Sequence, residues 1–284
     1  MSSIPEKLGV LGGGRMGGGI AHAFLVAGCD VVVVDQPEFL DRASAGIRAS
    51  IERSVEKGAT TRRAADLIAS LRLSADREAL SDRGLVIEAI PEIPELKREV
   101  LSDVETRLAP DAILASNTSS LSIDSLAAGL SRPERFLGLH FFNPVPASAL
   151  IEVVSGAKTN LELVALAGEW VRALGKTPVT VTDSPGFASS RLGVVIALEA
   201  IRMLEEGVST AEDIDNAMVL GYRHATGPLR TTDVVGLDVR LGIAEYLAST
   251  LGTRFDPPQL LRDLVAEGKL GRKTGEGFFV WGNE

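Results

Sequence analysis

The run Val10-Leu11-Gly12-Gly13-Gly14-Arg15-Met16-Gly17 sets Gly12, Gly14 and Gly17 in the spacing G-x-G-x-x-G, between a short apolar stretch and a helical pattern. In such a turn the first glycine permits the bend and the second lets a pyrophosphate approach the backbone. The third lets helix and strand pack closely. The helix N-terminus adds N–H donors and a positive dipole, with Arg15 and Met16 in the turn itself. A glycine turn alone is a weak signal. It is strengthened by Val31-Val32-Val33-Val34-Asp35, a strand pattern ending in an acid 18 residues after Gly17. A carboxylate there accepts hydrogen bonds from ribose hydroxyls and repels a 2′-phosphate, and no Arg follows it immediately. Together these parts predict dinucleotide binding, with NAD favoured over NADP. The plain alternative is an α/β turn with Asp35 on a solvated rim.

Of the three histidines, His22 falls in the first helical pattern and His224 in a Gly/Pro-containing loop, where structural roles are the default. His140 ends an apolar strand before Phe141-Phe142-Asn143-Pro144, which puts an imidazole at a strand-to-loop edge. Glu152 interrupts the apolar run Leu150-Ile151-Glu152-Val153-Val154, and a carboxylate in such a place needs a partner. If the two strands are neighbours, the carboxylate fixes the imidazole tautomer and favours the imidazolium, making His140 a better proton acceptor. An exposed strand face is the plainer reading of Glu152. Asn117-Thr118-Ser119-Ser120 follows another apolar strand, so a hydroxyl there meets a substrate oxygen or caps a helix starting near Ser122.

The elements that must position these residues alternate. Strand patterns occur at Leu8–Leu11, Val31–Asp35, Leu85–Ala89, Ala112–Ser116, Phe136–Phe142, Leu150–Val154 and Pro178–Thr182, with helical spacing at Ala43–Glu56 and Glu95–Leu108. Such alternation implies βαβ units and a mainly parallel sheet. Asp183-Ser184-Pro185-Gly186 breaks the pattern, and from Ser189 onward the chain reads as helices until a strand signal at Gly277–Trp281. Thr210 and Asp213 resemble a helix N-terminal capping pair. We therefore expect two domains, 1–184 and 185–284, in an α/β chain with an all-α C-terminal part.

With 284 residues, 45% hydrophobic and 24% charged, the chain has the composition of a globular protein. Its 29 Lys plus Arg against 38 Asp plus Glu give a net charge of −9, which argues against general nucleic-acid or anionic-membrane binding. An anionic substrate then needs a local basic patch. A single cysteine, Cys29, excludes an internal disulfide, and no cluster has metal spacing. The start Met-Ser-Ser-Ile-Pro-Glu-Lys is no signal segment and no apolar stretch reaches membrane length, so a cytoplasmic location is expected.

Taken together, Gly12–Ala21, Asn117–Leu121, His140–Pro146, Ser184–Phe187 and Gly271-Arg272-Lys273-Thr274-Gly275-Glu276-Gly277-Phe278 resemble the 3-hydroxyacyl-CoA dehydrogenases, particularly the short bacterial 3-hydroxybutyryl-CoA dehydrogenases. The resemblance spans essentially the whole chain. It implies a Rossmann-type NAD-binding domain, then a helical domain that also mediates homodimerisation. It further implies interconversion of (3S)-3-hydroxyacyl-CoA and 3-oxoacyl-CoA by hydride transfer with NAD, with short or medium acyl chains preferred and no metal needed. By motif, His140 is then the base, Glu152 orients it, and Ser119 touches the substrate oxygen. The cofactor positions become Glu92, Lys97, Asn117, Asn143 and Lys273, besides Asp35 and the glycine turn. By residue type alone, Glu92 and Lys97 read as solvated helix-start charges. For CoA the matching positions are Ser50 and Lys57, seven residues apart on one helix, with Arg53 a turn before Lys57.

Two departures bear on the substrate. The family carries Asn three residues after Pro-Gly-Phe, where this chain has Ser190, shorter in reach and without the paired amide geometry. The loop Ala225-Thr226-Gly227-Pro228 lacks the family's Pro-Met before Gly-Pro. Two rival readings follow, a dehydrogenase of a non-CoA hydroxy acid and a catalytically weakened NAD-binding protein.

Overall fold

The runs rich in Val, Ile and Leu suit a pleated surface buried on both faces, and they form the strands of one eight-stranded sheet. The computed structural model describes residues 4–282. It divides into two compact units, Met1–Ser184 and Pro185–Glu284.

In the first unit the strands are β1 (Lys7–Leu11), β2 (Asp30–Val34), β3 (Leu71–Ser74), β4 (Leu85–Glu88), β5 (Ile113–Ser116), β6 (Phe136–Phe141), β7 (Leu150–Ser155) and β8 (Thr177–Thr182). Helices α1 (Arg15–Ala27), α2 (Leu40–Glu56), α3 (Ala64–Ala69), α4 (Pro94–Arg107), α5 (Ile123–Ala127) and α6 (Leu161–Ala173) connect them. The order across the sheet is β3-β2-β1-β4-β5-β6-β7-β8. All neighbours pair in parallel except β6 and β7. Its first six strands run 3-2-1-4-5-6, the Rossmann order, in which ligands bind beyond the carboxyl ends where the order reverses. That switch point lies between β1 and β4. Ile20, Phe24 and Leu25 of α1 and Ile47 and Ile51 of α2 are buried with Leu8, Val10, Val31 and Val33 in the core.

Sequence reading missed β3. Leu71-Arg72-Leu73-Ser74 is short, polar at alternate positions and at the sheet edge, so only the pairing with β2 makes it a strand.

The second unit is helical: α7 (Ser189–Glu205), α8 (Ala211–Asn216), α9 (Pro228–Val235), α10 (Leu237–Leu251) and α11 (Gln259–Ala266). Val194, Leu198, Ile201, Leu229, Leu237, Leu247, Phe255 and Leu261 form its core. Thr210 caps α8, its hydroxyl accepting from Asp213 N–H at 3.2 Å. The strand expected at Gly277–Trp281 is corrected: only isolated bridges form, Gly271 with Glu276 and Glu276 with Val280. The reason is Asp233, fully buried, whose carboxylate accepts from Phe278 N at 2.9 Å, Phe279 N at 3.0 Å and Trp281 Nε1 at 2.7 Å. Those backbone donors cannot also serve a ladder.

Candidate active site

The glycine turn joins β1 to α1 at the switch point. Gly12 has φ +92°, and a Cβ there would stand 2.7 Å from the Ala89 carbonyl oxygen, so both backbone conformation and β4 require glycine. A Cβ on Gly17 would fall 1.8 Å from Gly12 O, so α1 crosses its own strand as closely as backbones allow. A Cβ on Gly14 meets nothing within 4 Å. Of the three, the second glycine is the one with open space above it, and that space belongs to a cleft of about 1060 Å3. The walls include Gly12–Met16, Asp35, Ser50, Arg53 and Asn143. Asp35 stands just beyond β2 and accepts from Gly13 N at 2.6 Å and Gln36 N at 2.8 Å. An open glycine at a helix N-terminus beside a strand-end carboxylate fits the pyrophosphate and ribose of a dinucleotide.

His140 and Glu152 stand directly opposite in the antiparallel pairing of β6 with β7. Residues in such a register share a face, and His140 Nδ1 meets Glu152 Oε2 at 2.8 Å. Both are buried. The Phe142 ring lies 4.3 Å from the imidazole, centroid to centroid. Because β6 is parallel to β5, His140 emerges at the same edge as the glycine turn and the Asn117–Ser120 loop. Asn117 ties that loop to β6, its Oδ1 accepting from Phe141 N at 2.8 Å. Ser122 caps α5 by accepting from Ser125 N at 3.1 Å, which leaves Ser119 upstream of the cap.

For Lys97 the structure corrects the reading as a solvated charge. It is 1% exposed, and its ammonium meets Glu88 Oε1 at 2.5 Å, Glu92 Oε2 at 3.1 Å and Ile90 O at 3.2 Å. Pro94 starts α4 and puts Lys97 in its first turn, aimed back over the end of β4. Glu92 accepts through Oε1 from Thr118 Oγ1 at 2.5 Å, Ser119 N at 3.0 Å and Ser120 Oγ at 3.2 Å. Burial pushes its carboxyl up, but the Lys97 charge and these donors outweigh burial and hold it below its ordinary range.

Ser50 and Lys57 both belong to the α2 end of the first unit. The Ser50 hydroxyl donates to Gly46 O at 2.9 Å and accepts from Arg53 at 3.2 Å. Lys57, exposed at the helix C-cap, lies outside the cleft walls. His22 is buried in α1 with Nε2 at 2.8 Å from Ser54 Oγ. Burial, then the Arg53 and Lys176 charges, push its pKa down. Asn143 follows β6 in a loop with a cis Asn143–Pro144 peptide. Lys176 donates to the Val145 and Ser148 carbonyls of that loop.

Ser190, in the first turn of α7, and Lys273 belong to the second unit. Lys273 pairs with Asp238 at 2.5 and 2.7 Å. Sequence reading did not single out Glu88, Thr118, Lys176 or Asp238. Glu88 carried the same signal as Glu152, an acid in an apolar strand; Thr118 lay in the Asn117–Ser120 run already named, and Lys176 and Asp238 carried none. Among the described residues no His, Cys, Asp and Glu cluster is arranged to hold a metal, and no helix is long and apolar enough to cross a membrane.

Residues 7–184 match the family model described as 3-hydroxyacyl-CoA dehydrogenase, NAD binding domain, and residues 186–281 match its C-terminal domain. A probable 3-hydroxybutyryl-CoA dehydrogenase of Deinococcus radiodurans is 43% identical over 97% of this chain and 100% of its own length. A 3-hydroxybutyryl-CoA dehydrogenase of Mycobacterium tuberculosis is 42% identical over 99% of this chain and 100% of its own. The crystal structure of (S)-3-hydroxybutyryl-CoA dehydrogenase PaaH1 from Ralstonia eutropha superposes with a TM-score of 0.94 at 38% identity, covering 99% of this chain and 100% of that one.

Proposed function

The chain belongs to the 3-hydroxyacyl-CoA dehydrogenase family of NAD-dependent oxidoreductases, and on that footing we propose that it interconverts (3S)-3-hydroxyacyl-CoA and 3-oxoacyl-CoA of short or medium chain. The observation that carries the reading is the 2.8 Å contact between His140 Nδ1 and Glu152 Oε2, at the sheet edge that also presents the glycine turn. With Nδ1 engaged by Glu152, His140 takes the 3-hydroxyl proton on Nε2. Glu152 fixes the tautomer and stabilises the imidazolium that results. The Ser119 hydroxyl donates to the same substrate oxygen and favours the developing alkoxide. When bound, NAD supplies the acceptor for the hydride that leaves C3. In the reverse direction His140 returns the proton to the 3-oxo oxygen.

Gly12, Gly14, Arg15, Met16 and Gly17 hold the pyrophosphate and Asp35 the ribose. Glu92, Asn117 and Asn143 line the cofactor's path. Lys97, its ammonium already between two carboxylates, serves by holding Glu92. Ser50 and Lys57 contact CoA, with Arg53 adding positive charge against its phosphates. By the family's motifs Ser190 is carried over as a substrate residue and Lys273 as a cofactor residue. A second copy of the chain docks on that unit, a reading supported by exposed Leu192, Val234, Val235 and Val239 on α7, α9 and α10. The enzyme works in the cytoplasm.

The test is loss of NADH absorbance with acetoacetyl-CoA, beside free acetoacetate and longer acyl chains. Turnover of the CoA ester alone is expected. Replacing His140→Ala should lower turnover by about 10²- to 10⁴-fold while NADH still binds; unchanged turnover removes His140 from the mechanism. Silence on every CoA ester with NADH bound points to a non-CoA substrate or a binding role.

A further inference from the structure

Glu88 closes β4 with its carboxylate completely buried. Such a group is costly unless every lone pair finds a donor. Its Oε1 accepts from Lys97 Nζ at 2.5 Å and Ile90 N at 2.7 Å, and its Oε2 from Ser116 Oγ at 2.6 Å. Two routes lead from it to one loop. Along the first, Lys97 also meets Glu92, and Glu92 accepts from Thr118, Ser119 N and Ser120. Along the second, Ser116 Oγ accepts from Thr118 N at 3.1 Å. The backbone adds a third tie, Asn117 N donating to Glu88 O at 2.8 Å.

We propose that Glu88 is a positioning residue for the reaction: from the rigid end of β4 it holds Lys97, through Lys97 the Glu92 carboxylate, and through both routes the Asn117–Ser120 loop that carries Ser119. The charges explain why one acid is not enough. Glu92 sits on a connecting loop and its side chain is 36% exposed, whereas Glu88 is fixed on a central strand. An ammonium held only by Glu92 and the Ile90 carbonyl would move with the loop that carries both. Held also by Glu88, it becomes the fixed point to which Glu92 is attached. The inference rests on Ser119 facing substrate in the function proposed above.

The test uses the full-length enzyme and Glu88→Gln, which keeps volume and removes the charge. Hydrogen exchange across residues 117–121 should accelerate while the β1 and β4 peptides stay protected. At saturating NADH and acetoacetyl-CoA, kcat should fall about ten- to hundredfold, the scale of a displacement of about 1 Å in an active site. Unchanged exchange at 117–121 overturns the proposal whatever the kinetics, and so does faster exchange with unchanged kcat. Should Glu88→Gln fold poorly, Glu88→Gln/Lys97→Met removes both buried charges and should recover thermal stability. Recovered stability without recovered kcat supports positioning, whereas recovery of both makes the pair structural only. If the wild-type enzyme turns over no CoA ester, the proposed function fails and with it the link to the reaction, and the exchange measurement still decides whether Glu88 holds the Asn117–Ser120 loop.

Discussion

Two buried carboxylates in each unit are held on different terms, while Glu105 of the first unit accepts from Ser131 N at 2.7 Å and Arg132 N at 2.8 Å much as those of the second do. In the first, Glu88 and Glu152 meet groups that carry or accept charge, a lysine ammonium and an imidazole. In the second, Asp233 and Asp215 meet peptide N–H groups and one indole: Asp233 gathers the Phe278–Trp281 segment, and Asp215 accepts from Leu229 N and Arg230 N at 2.8 and 2.9 Å at the start of α9. A carboxylate against backbone donors is a fixed brace, since an amide neither takes up nor gives off protons near neutral pH. A carboxylate against imidazole or ammonium can sustain a change of charge or hold a cation in place. The same desolvation cost is thus met by charge-bearing partners at Glu88 and Glu152, and by backbone donors at Asp215, Asp233 and Glu105.

The largest effect should come from Glu152→Gln. Losing the charge but keeping the size leaves His140 without tautomer control, and kcat should fall by about 10²- to 10⁴-fold, as for other carboxylate-oriented histidines. NADH titration and thermal melting should change little. A variant that melts early yet keeps its kcat would make Glu152 a brace like Asp233, and the contrast would collapse.

Asp233→Asn probes the other side. Its amide nitrogen would face donors already pointing at the carboxylate, leaving at least one buried N–H unsatisfied. Denaturant unfolding should show a loss of about 2–4 kcal/mol. The folded remainder should keep most of its kcat. A large kcat loss at unchanged stability would move Asp233 into the chemistry.

The sequence made the sheet legible because β-branched runs bounded by turn residues have few other solutions; Val31–Val34 and Leu85–Glu88 fold as their patterns indicate. The His140–Glu152 pair was legible as an acid where only apolar residues belong, though its register needed the antiparallel turn between β6 and β7. Glu88 carried the same mark, but closing a strand is also how Asp35 reaches solvent, and local sequence does not separate the two cases. The burial of Lys97 was illegible: Pro94-Glu95-Leu96-Lys97-Arg98-Glu99 reads as a polar helix start, and only the end of β4 beneath it shows where the ammonium goes. Asp233 was hidden because its partners lie about 45 residues downstream.

The smallest predicted effect is the one that sets the two units in opposite directions. Burial raises the Glu92 carboxyl, but the Lys97 charge and the Thr118 and Ser119 donors hold it lower than usual. Its stabilisation is present above the ordinary carboxylate range and is lost as pH falls through the depressed folded value, because the unfolded chain takes up the proton first. For Asp215 burial dominates over its two N–H donors and the Arg230 charge, and the carboxyl is raised. Its contribution is present below the ordinary value and is lost as pH rises through the raised folded value, because here the native state takes the proton first. On acidification Glu92 therefore withdraws stability from the first unit while Asp215 adds it to the second. Hydrogen exchange followed from about pH 7 to about pH 3, with rates corrected for intrinsic pH dependence, should show α4 and residues 117–121 losing protection before α8 and α9. Glu92→Gln should flatten the first trend and Asp215→Asn the second. Simultaneous loss in both units, or an Asp215→Asn profile identical to wild type, would mean that backbone-braced and charge-paired carboxylates respond to protons alike.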